Sequence, residues 1–322
     1  MTRLLGSAGL AAVVLAIAGC GSGNGGSDPG PLPLSAEPTD SGAIPHARPA
    51  DFKAPIAAYK RDVGRQLAAM SASVSELERT TTAGDLQSAR AAWLAADARY
   101  ESIGAAYGAF GDLDGAINGL WDGLPGGTAD ADFTGLHRVE LALWARRSTA
   151  DAAPYVRQLS GDVQRLRAKV PRMEIDPLDY ALRCHEVLED TLNLQLSGRA
   201  SPWSGDALVA LRSNVDGTTF VLRTLRPLVA RRNPQVLTTI DIALARLRKG
   251  LGSVEAADGS LPRWDSLPQR DRERIYGLTA AAAEQLAYVP EIADPRPPLP
   301  AQRVFGTGSG DAAATTTTEG TG

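Results

Sequence analysis

His137 and Glu140 stand three residues apart in the stretch Gly135-Leu136-His137-Arg138-Val139-Glu140. On a helix that spacing turns an imidazole and a carboxylate out from one face, a turn apart, where they can share a cation or hydrogen-bond each other. Leu136, Val139 and Leu143 flank the pair, so the face is apolar and turned to a core. A carboxylate there needs a partner, because an unpaired buried charge is expensive. The motif alone does not choose between a cation site and a His–Glu hydrogen bond that fixes the helix.

A second pair breaks an apolar pattern. Along 176–197 the stripe runs Leu178, Leu182, His185, Glu189, Leu192, Leu196. The spacing puts His185 and Glu189 at successive core positions, with Glu186 and Asp190 beside them. Either they satisfy each other and neighbouring helices, or they coordinate something. Carboxylates with one or two imidazoles suit iron, manganese or zinc, and the lack of thiolates excludes a soft site. Such ligands bind as neutral His and ionised Glu, so acid should release the metal. There is no H-E-x-x-H helix, so the two-His zinc site with its Glu base is missing and peptide cleavage is not expected.

The elements that must position these residues are helices. Apolar residues recur in alternating steps of three and four. The first stripe is Ile56, Tyr59, Val63, Leu67, Met70, Val74 and Leu77. A second runs from Leu86 through Ala89, Trp93, Ala96, Tyr100, Ile103 and Tyr107 to Phe110. Further stripes cover Val156 to Val170, Leu208 to Val229, Leu237 to Leu251 and, more weakly, Ile275 to Ala282. Asp176-Pro177 reads as an N-cap with Pro at the first helical position and Gly198 past the end, and Asn233-Pro234 with Gly250 repeats the arrangement. No segment reads as a strand. The fold class expected is all-α, with antiparallel helix bundles. Residues 111–132 hold too many glycines and aspartates for one regular element. Asp112-Leu113-Asp114-Gly115 lacks the Glu of an EF-hand loop, and the related phrase Asn214-Val215-Asp216-Gly217 hints at duplication of the bundle.

The ends read differently. Arg3 precedes an apolar run from Leu10 to Ala18, then Ile17-Ala18-Gly19-Cys20. This is the layout of a secretory signal and is too short to span a membrane stably. It resembles a bacterial lipobox, which makes residues 1–19 a signal peptide and Cys20 the lipidated first residue of an exported protein. Residues 20–50 are Gly-, Ser- and Pro-rich and read as a disordered tether with a reach of roughly 30 Å, carrying a solvated His46. The folded body is 51–295, and 296–322 is a disordered tail. The net charge of −4 argues against nucleic-acid binding. Of the two cysteines, lipidation of Cys20 leaves Cys184 as a lone thiol, so the fold must rest on its core.

From about Tyr59 to Pro290 the chain resembles the imelysin-like EfeO/EfeM group of bacterial envelope proteins. The residues that carry the resemblance are Gly135-Leu136-His137-Arg138-Val139-Glu140, which looks like the family's G-x-H-x-x-E signature, and further phrases in the family's order. These are Ala98-Arg99-Tyr100-Glu101-Ser102-Ile103, Asp112-Leu113-Asp114-Gly115, Leu188-Glu189-Asp190, Asn214-Val215-Asp216-Gly217 and Leu225-Arg226-Pro227. The resemblance implies two related up-down bundles, a short form without a cupredoxin domain, and a part in iron uptake beside a membrane permease and a haem peroxidase-like partner. It implies iron, ferrous or ferric, as the bound metal, with zinc, manganese or copper as alternatives, and a lipid-anchored protein facing the periplasm or cell-wall space. The ligand set it carries over is His137, Glu140, Glu101 and Glu189. Two positions depart from the family pattern: Gly104 where relatives have a second Glu on the helix of Glu101, and Asn118 where they have Asp. His185, one turn before Glu189, is the candidate replacement. The alternative is a metal-free helical binding or adaptor protein.

Overall fold

The computed structural model describes residues 46–296; Cys20, with all of 1–45 and 297–322, lies outside the described residues. Among the described residues there is no strand. The long helices are α1 (Lys53–Thr82) and α2 (Leu86–Glu101), followed by short α3 (Tyr107–Phe110), α4 (Asp112–Asn118) and α5 (Gly135–Glu140), then α6 (Thr149–Lys169). After these come α7 (Pro177–Asp190), α8 (Ala207–Arg232), α9 (Pro234–Gly252), α10 (Gln269–Leu286) and α11 (Tyr288–Ile292). α1, α2, α5 and α6 pack as one bundle and α7 to α10 as a second, with α8 laid against α1 and α2 to join them.

The local signals behind these helices are those expected. Tyr59, Val63, Leu67, Met70, Val74 and Leu77 are all buried on α1. The Asp85 side chain caps α2 by accepting from Ser88 N at 3.0 Å. Asp176 caps α7 through the amides of Leu178 and Asp179, and Asn233 caps α9 through Val236. Each such cap contributes about 1 kcal/mol. Gly250 is no cap: α9 runs past it, and a Cβ there would meet Leu278 Cδ1 at 2.5 Å, so its role is close approach of α9 to α10.

Three findings differ from the sequence pattern and shape the site. The stripe from Leu86 to Phe110 is not one helix. α2 stops at Glu101, Gly104–Ala106 form a 3-10 turn, and α3 follows. Two tyrosine hydroxyls take up carbonyls at the break: Tyr107 donates to Tyr100 O at 3.1 Å and Tyr59 to Ile103 O at 2.6 Å. These are groups a helix end leaves without partners. Gly104 therefore shares no helix face with Glu101.

The buried face of α7 is Tyr180, Ala181, Cys184, Val187 and Leu188. It lies beside the stripe that carries His185 and Glu189, because Tyr180 turns towards α8 and meets the Thr224 hydroxyl at 2.7 Å. Glu189 is consequently 52% exposed.

Both α5 and α7 widen at their C-terminal ends into π turns, Leu141–Ala145 and Thr191–Gln195. Arg146 N donates to Leu141 O at 3.1 Å and Leu196 N to Thr191 O at 2.9 Å, each spanning five residues. Single π turns inside helices are frequent at functional sites.

His46 and Asp294 lie near enough for their charges to interact, so the described chain starts and finishes in one region. No helix among the described residues is long and apolar enough to cross a membrane.

Candidate functional site

The site is assembled where the two bundles meet. Along α2, Trp93, Asp97 and Glu101 follow at steps of four and share one face. Trp93 Nε1 donates to Leu136 O at 2.8 Å and so bolts α2 to the residue before His137. Gly135 opens α5 with φ of +73°, and a Cβ there would stand 2.3 Å from Ile117 O. Only glycine tolerates that backbone and that space, so the glycine of the motif sets the direction in which His137 and Glu140 project. From the second bundle, Gly217 lets α8 approach α2: a Cβ would stand 2.3 Å from Ser102 O. That approach brings Asn214, one turn earlier, onto Glu101.

Glu101 is buried and held at both oxygens. Asn214 Nδ2 donates to Oε2 at 2.6 Å and Gln195 Nε2 to Oε1 at 3.1 Å. Gln195 reaches it from the π turn after α7, and Thr191 of the same turn accepts from Asn214 at 3.0 Å. Burial raises the Glu101 carboxyl to about 7; the Asn214 hydrogen bond and nearby His137 pull the other way. Glu140 is fully buried, and its Oε1 accepts from the amides of Trp203 and Ser204, at 3.1 and 2.7 Å, and from the Ser204 hydroxyl at 2.7 Å. Its other oxygen has no hydrogen-bond donor. That oxygen is 3.6 Å from His137 Nδ1, which is also without a partner. The separation is too long for a hydrogen bond. It suits two ligand atoms around one ion at about 2.1 Å.

Two further acids close the cluster. Asp97 and Asp206 face each other, 1% and 5% exposed. Both Asp97 oxygens and Asp206 Oδ2 lack a donor. Two ionised carboxylates have no hydrogen to offer one another; with one proton between them Asp97 becomes the donor. Burial, then the charges of Asp206, Glu101 and Glu140, push the Asp97 carboxyl well above the usual range. Burial and Glu140 raise Asp206 as well. Arg263, whose charge is felt by Glu140 and Asp206, donates to Trp203 O at 2.9 Å and pairs with Asp265 at 2.8 Å. Arg138 turns away to Tyr155 at 2.8 Å.

A cavity of about 1270 Å³ leads to the cluster, with Glu101, Gln195 and Asn214 in its wall. Its wall also carries Asp114, Glu174, Asp176, Asp179, Glu186 and Asp190 against Lys53, Lys60 and Arg183, the last paired with Glu186 and Asp190. Asn118 also lines it, and its Oδ1 is buried without a donor.

Of the residues singled out in the sequence, Glu101, His137 and Glu140 are brought together, and Asn118 stands on the cavity wall. His185 and Glu189 are not part of the cluster; their polar contact is with each other, at 3.9 Å. Gly104 has no room for a ligand side chain without displacement, since a Cβ would lie 3.2 Å from Val187 Cγ2. Asp97, Gln195 and Asp206 went unseen. The step of four from Trp93 through Asp97 to Glu101 was the available signal for the first. Nothing in the pattern marked the other two. Among the described residues no group of three or more His, Cys, Asp or Glu side chains is placed so that it could hold a metal ion.

These features define a class: a two-bundle helical protein with a buried acid–imidazole cluster at the seam. The chain belongs to the imelysin family, whose profile matches residues 55–289. It is 26% identical over 256 residues to the iron uptake system component EfeM of Pseudomonas syringae pv. syringae, covering 80% of this chain and 90% of that protein. It is 28% identical over 232 residues to the iron uptake system component EfeO of Escherichia coli K12, and the same to that of Shigella flexneri. Those matches cover 72% of this chain, which spans 62% of the length of each EfeO protein.

Proposed function

We propose that this protein is the extracytoplasmic, lipid-anchored binding component of an iron uptake system, taking iron as cargo rather than transforming a substrate. The observation that carries the reading is the pair of orphaned ligand atoms His137 Nδ1 and Glu140 Oε2, both buried and 3.6 Å apart. Buried polar atoms are normally satisfied, and an absent ion is one standard reason for an exception. Acids outnumber the bases Lys53, Lys60 and Arg183 in the cavity wall, a balance that would raise the local concentration of cations. Glu101, at the boundary between cavity and cluster, exchanges its proton near neutrality and can take up or release a cation in the same range.

In this reading Cys20 carries the anchor, the body faces the periplasm or cell-wall space, and cargo passes to a membrane permease, with a haem peroxidase-like protein as a further partner. The names of the relatives support membership of an iron uptake system.

His137→Gln tests the metal site. It keeps most of the polar volume while moving the donor atom. Iron affinity by calorimetric titration is expected to fall at least tenfold, with a melting temperature within a few degrees of the parent. Unchanged iron binding with a lower melting temperature would favour a packing role. A parent protein that binds no iron would leave the adaptor reading in its place.

A further inference from the structure

The cavity beside Glu101 follows one face of α7 from end to end. Asp179, Leu182, Arg183, Glu186, Val187 and Asp190 line it, and Gln195 continues the row from the π turn beyond. The 14 residues of α7 make this wall about 21 Å long. A volume of about 1270 Å³ exceeds the roughly 300–1,000 Å³ of ordinary small-molecule pockets and is far more than a bare ion fills.

Donors and acceptors in the wall are out of balance. Lys60 directs its ammonium to Pro171 O and Met173 O, at 3.0 and 2.7 Å. Arg183 donates to Gly104 O at 3.2 Å and pairs with Glu186 and Asp190. The Tyr107 hydroxyl donates to Tyr100 O, and the Asn214 amide to Glu101 and Thr191. What is left over accepts. Gln195 is 6% exposed, and since its nitrogen is tied to Glu101, its Oε1 stays buried without a donor. Asn118 Oδ1 is in the same state. The Asp179 carboxylate has no ion pair or hydrogen bond among the described residues. Nor can any three of the wall's acids share one metal ion, so the negative charge is spread along the trough. Apolar side chains, among them Ile56, Leu182 and Val187, fill the intervals.

We propose that this trough binds a linear aliphatic polyamine, a chain of ammonium groups joined by methylenes. An ammonium carries three donors and no acceptor, which is the complement of a wall with acceptors to spare. The terminal ammonium at the Glu101 end supplies the hydrogen that Gln195 Oε1 lacks. Another, further along the chain, meets Asp179 at the opposite end of α7. The methylenes between them lie on Ile56, Leu182 and Val187, where burial of apolar surface adds to binding. A carboxylate or phosphate ligand would bring acceptors to acceptors and negative charge to negative charge. Each exposed ion pair contributes little by itself, so a single ammonium is held weakly and several on one chain are held together. The proposal is independent of the metal-binding reading, although the two ligands would meet at Glu101.

The test is calorimetric titration of the full chain with spermidine and, in parallel, with butylamine and with magnesium chloride, all at low ionic strength. Spermidine is expected to bind at least tenfold tighter than either control. Asp179→Asn and Gln195→Met, made separately, are each expected to weaken spermidine at least threefold. Spermidine that binds no tighter than magnesium is drawn in by charge alone, and the proposal is overturned. Tight binding that neither substitution weakens places the ligand elsewhere and overturns it too. Should Gln195→Met not fold, Asp179→Asn, an exposed change at the start of α7, decides. Iron titration of the same parent sample keeps the two readings apart. A parent that binds spermidine and no iron retains this proposal and loses the metal site, and the opposite result does the reverse.

Discussion

Burial brings the Glu101 carboxyl to about 7, and this couples proton and fold. Its carboxyl is raised from 4.5 to about 7 by burial, so between those values the folded protein holds a proton that the unfolded chain has released. Stability from this group is therefore full at the acid end of the window and is lost as pH rises through it. A shift of this size corresponds to about 3 kcal/mol. Asp97 and Asp206, raised in the same direction, add to the trend. Exposed carboxylates held low by hydrogen bonds, such as those of Asp85 and Asp130, act oppositely only at lower pH. The metal-free protein should thus melt several degrees higher near pH 5 than near pH 8 in scanning calorimetry, and saturating metal should remove the difference. A melting temperature that rises from pH 5 to pH 8 without metal would refute the assigned burial of these acids.

At the scale of elements, two glycines hold the site's geometry. A methyl group at 217 must displace the Ser102 carbonyl on α2, so Gly217→Ala should lower stability by about 1–3 kcal/mol, the usual range for overpacking. It should also weaken cation binding through the loss of Asn214 from Glu101. Urea denaturation and titration of the same sample check both. A variant with parental stability would mean that α8 is not pressed against α2. The sequence disclosed the helices themselves, because stripes such as Tyr59 to Leu77 and caps such as Asp176-Pro177 are local. It disclosed His137 and Glu140 for the same reason. The break after Glu101 was hidden, since the apolar spacing continues across it through Ile103 and Tyr107. At the end of α2 the carbonyls of Tyr100 and Ile103 are taken up by the hydroxyls of Tyr107 and Tyr59, which come from α3 and α1. Likewise a spacing of three and four could not reveal the π turn that aims Gln195 at Glu101, nor which of two adjacent stripes on α7 faces inward.

At the scale of the molecule, the seam between bundles explains why no single helix carries a complete site. α2 and α5 supply acids and imidazole, while α8 and the end of α7 supply the amides that hold Glu101. A small rotation of one bundle against the other would therefore change which of these groups face one another, as the proposed loading and unloading of a cation would require. The proposed export and lipid anchor would rest on Cys20. Cys20→Ala is expected to release the protein from membrane fractions or to block its processing. Unchanged retention of the variant would rule out the lipid anchor.

His46 and Asp294 are neighbours, and Pro49 and Lys53, just beyond His46, belong to the cavity wall. A polyhistidine handle placed at Pro49 would set a row of imidazoles against the cavity wall and report its own cations in every titration. The surface turn from Glu255 to Ser260 takes no part in that wall. An affinity handle inserted there leaves the doorway clear.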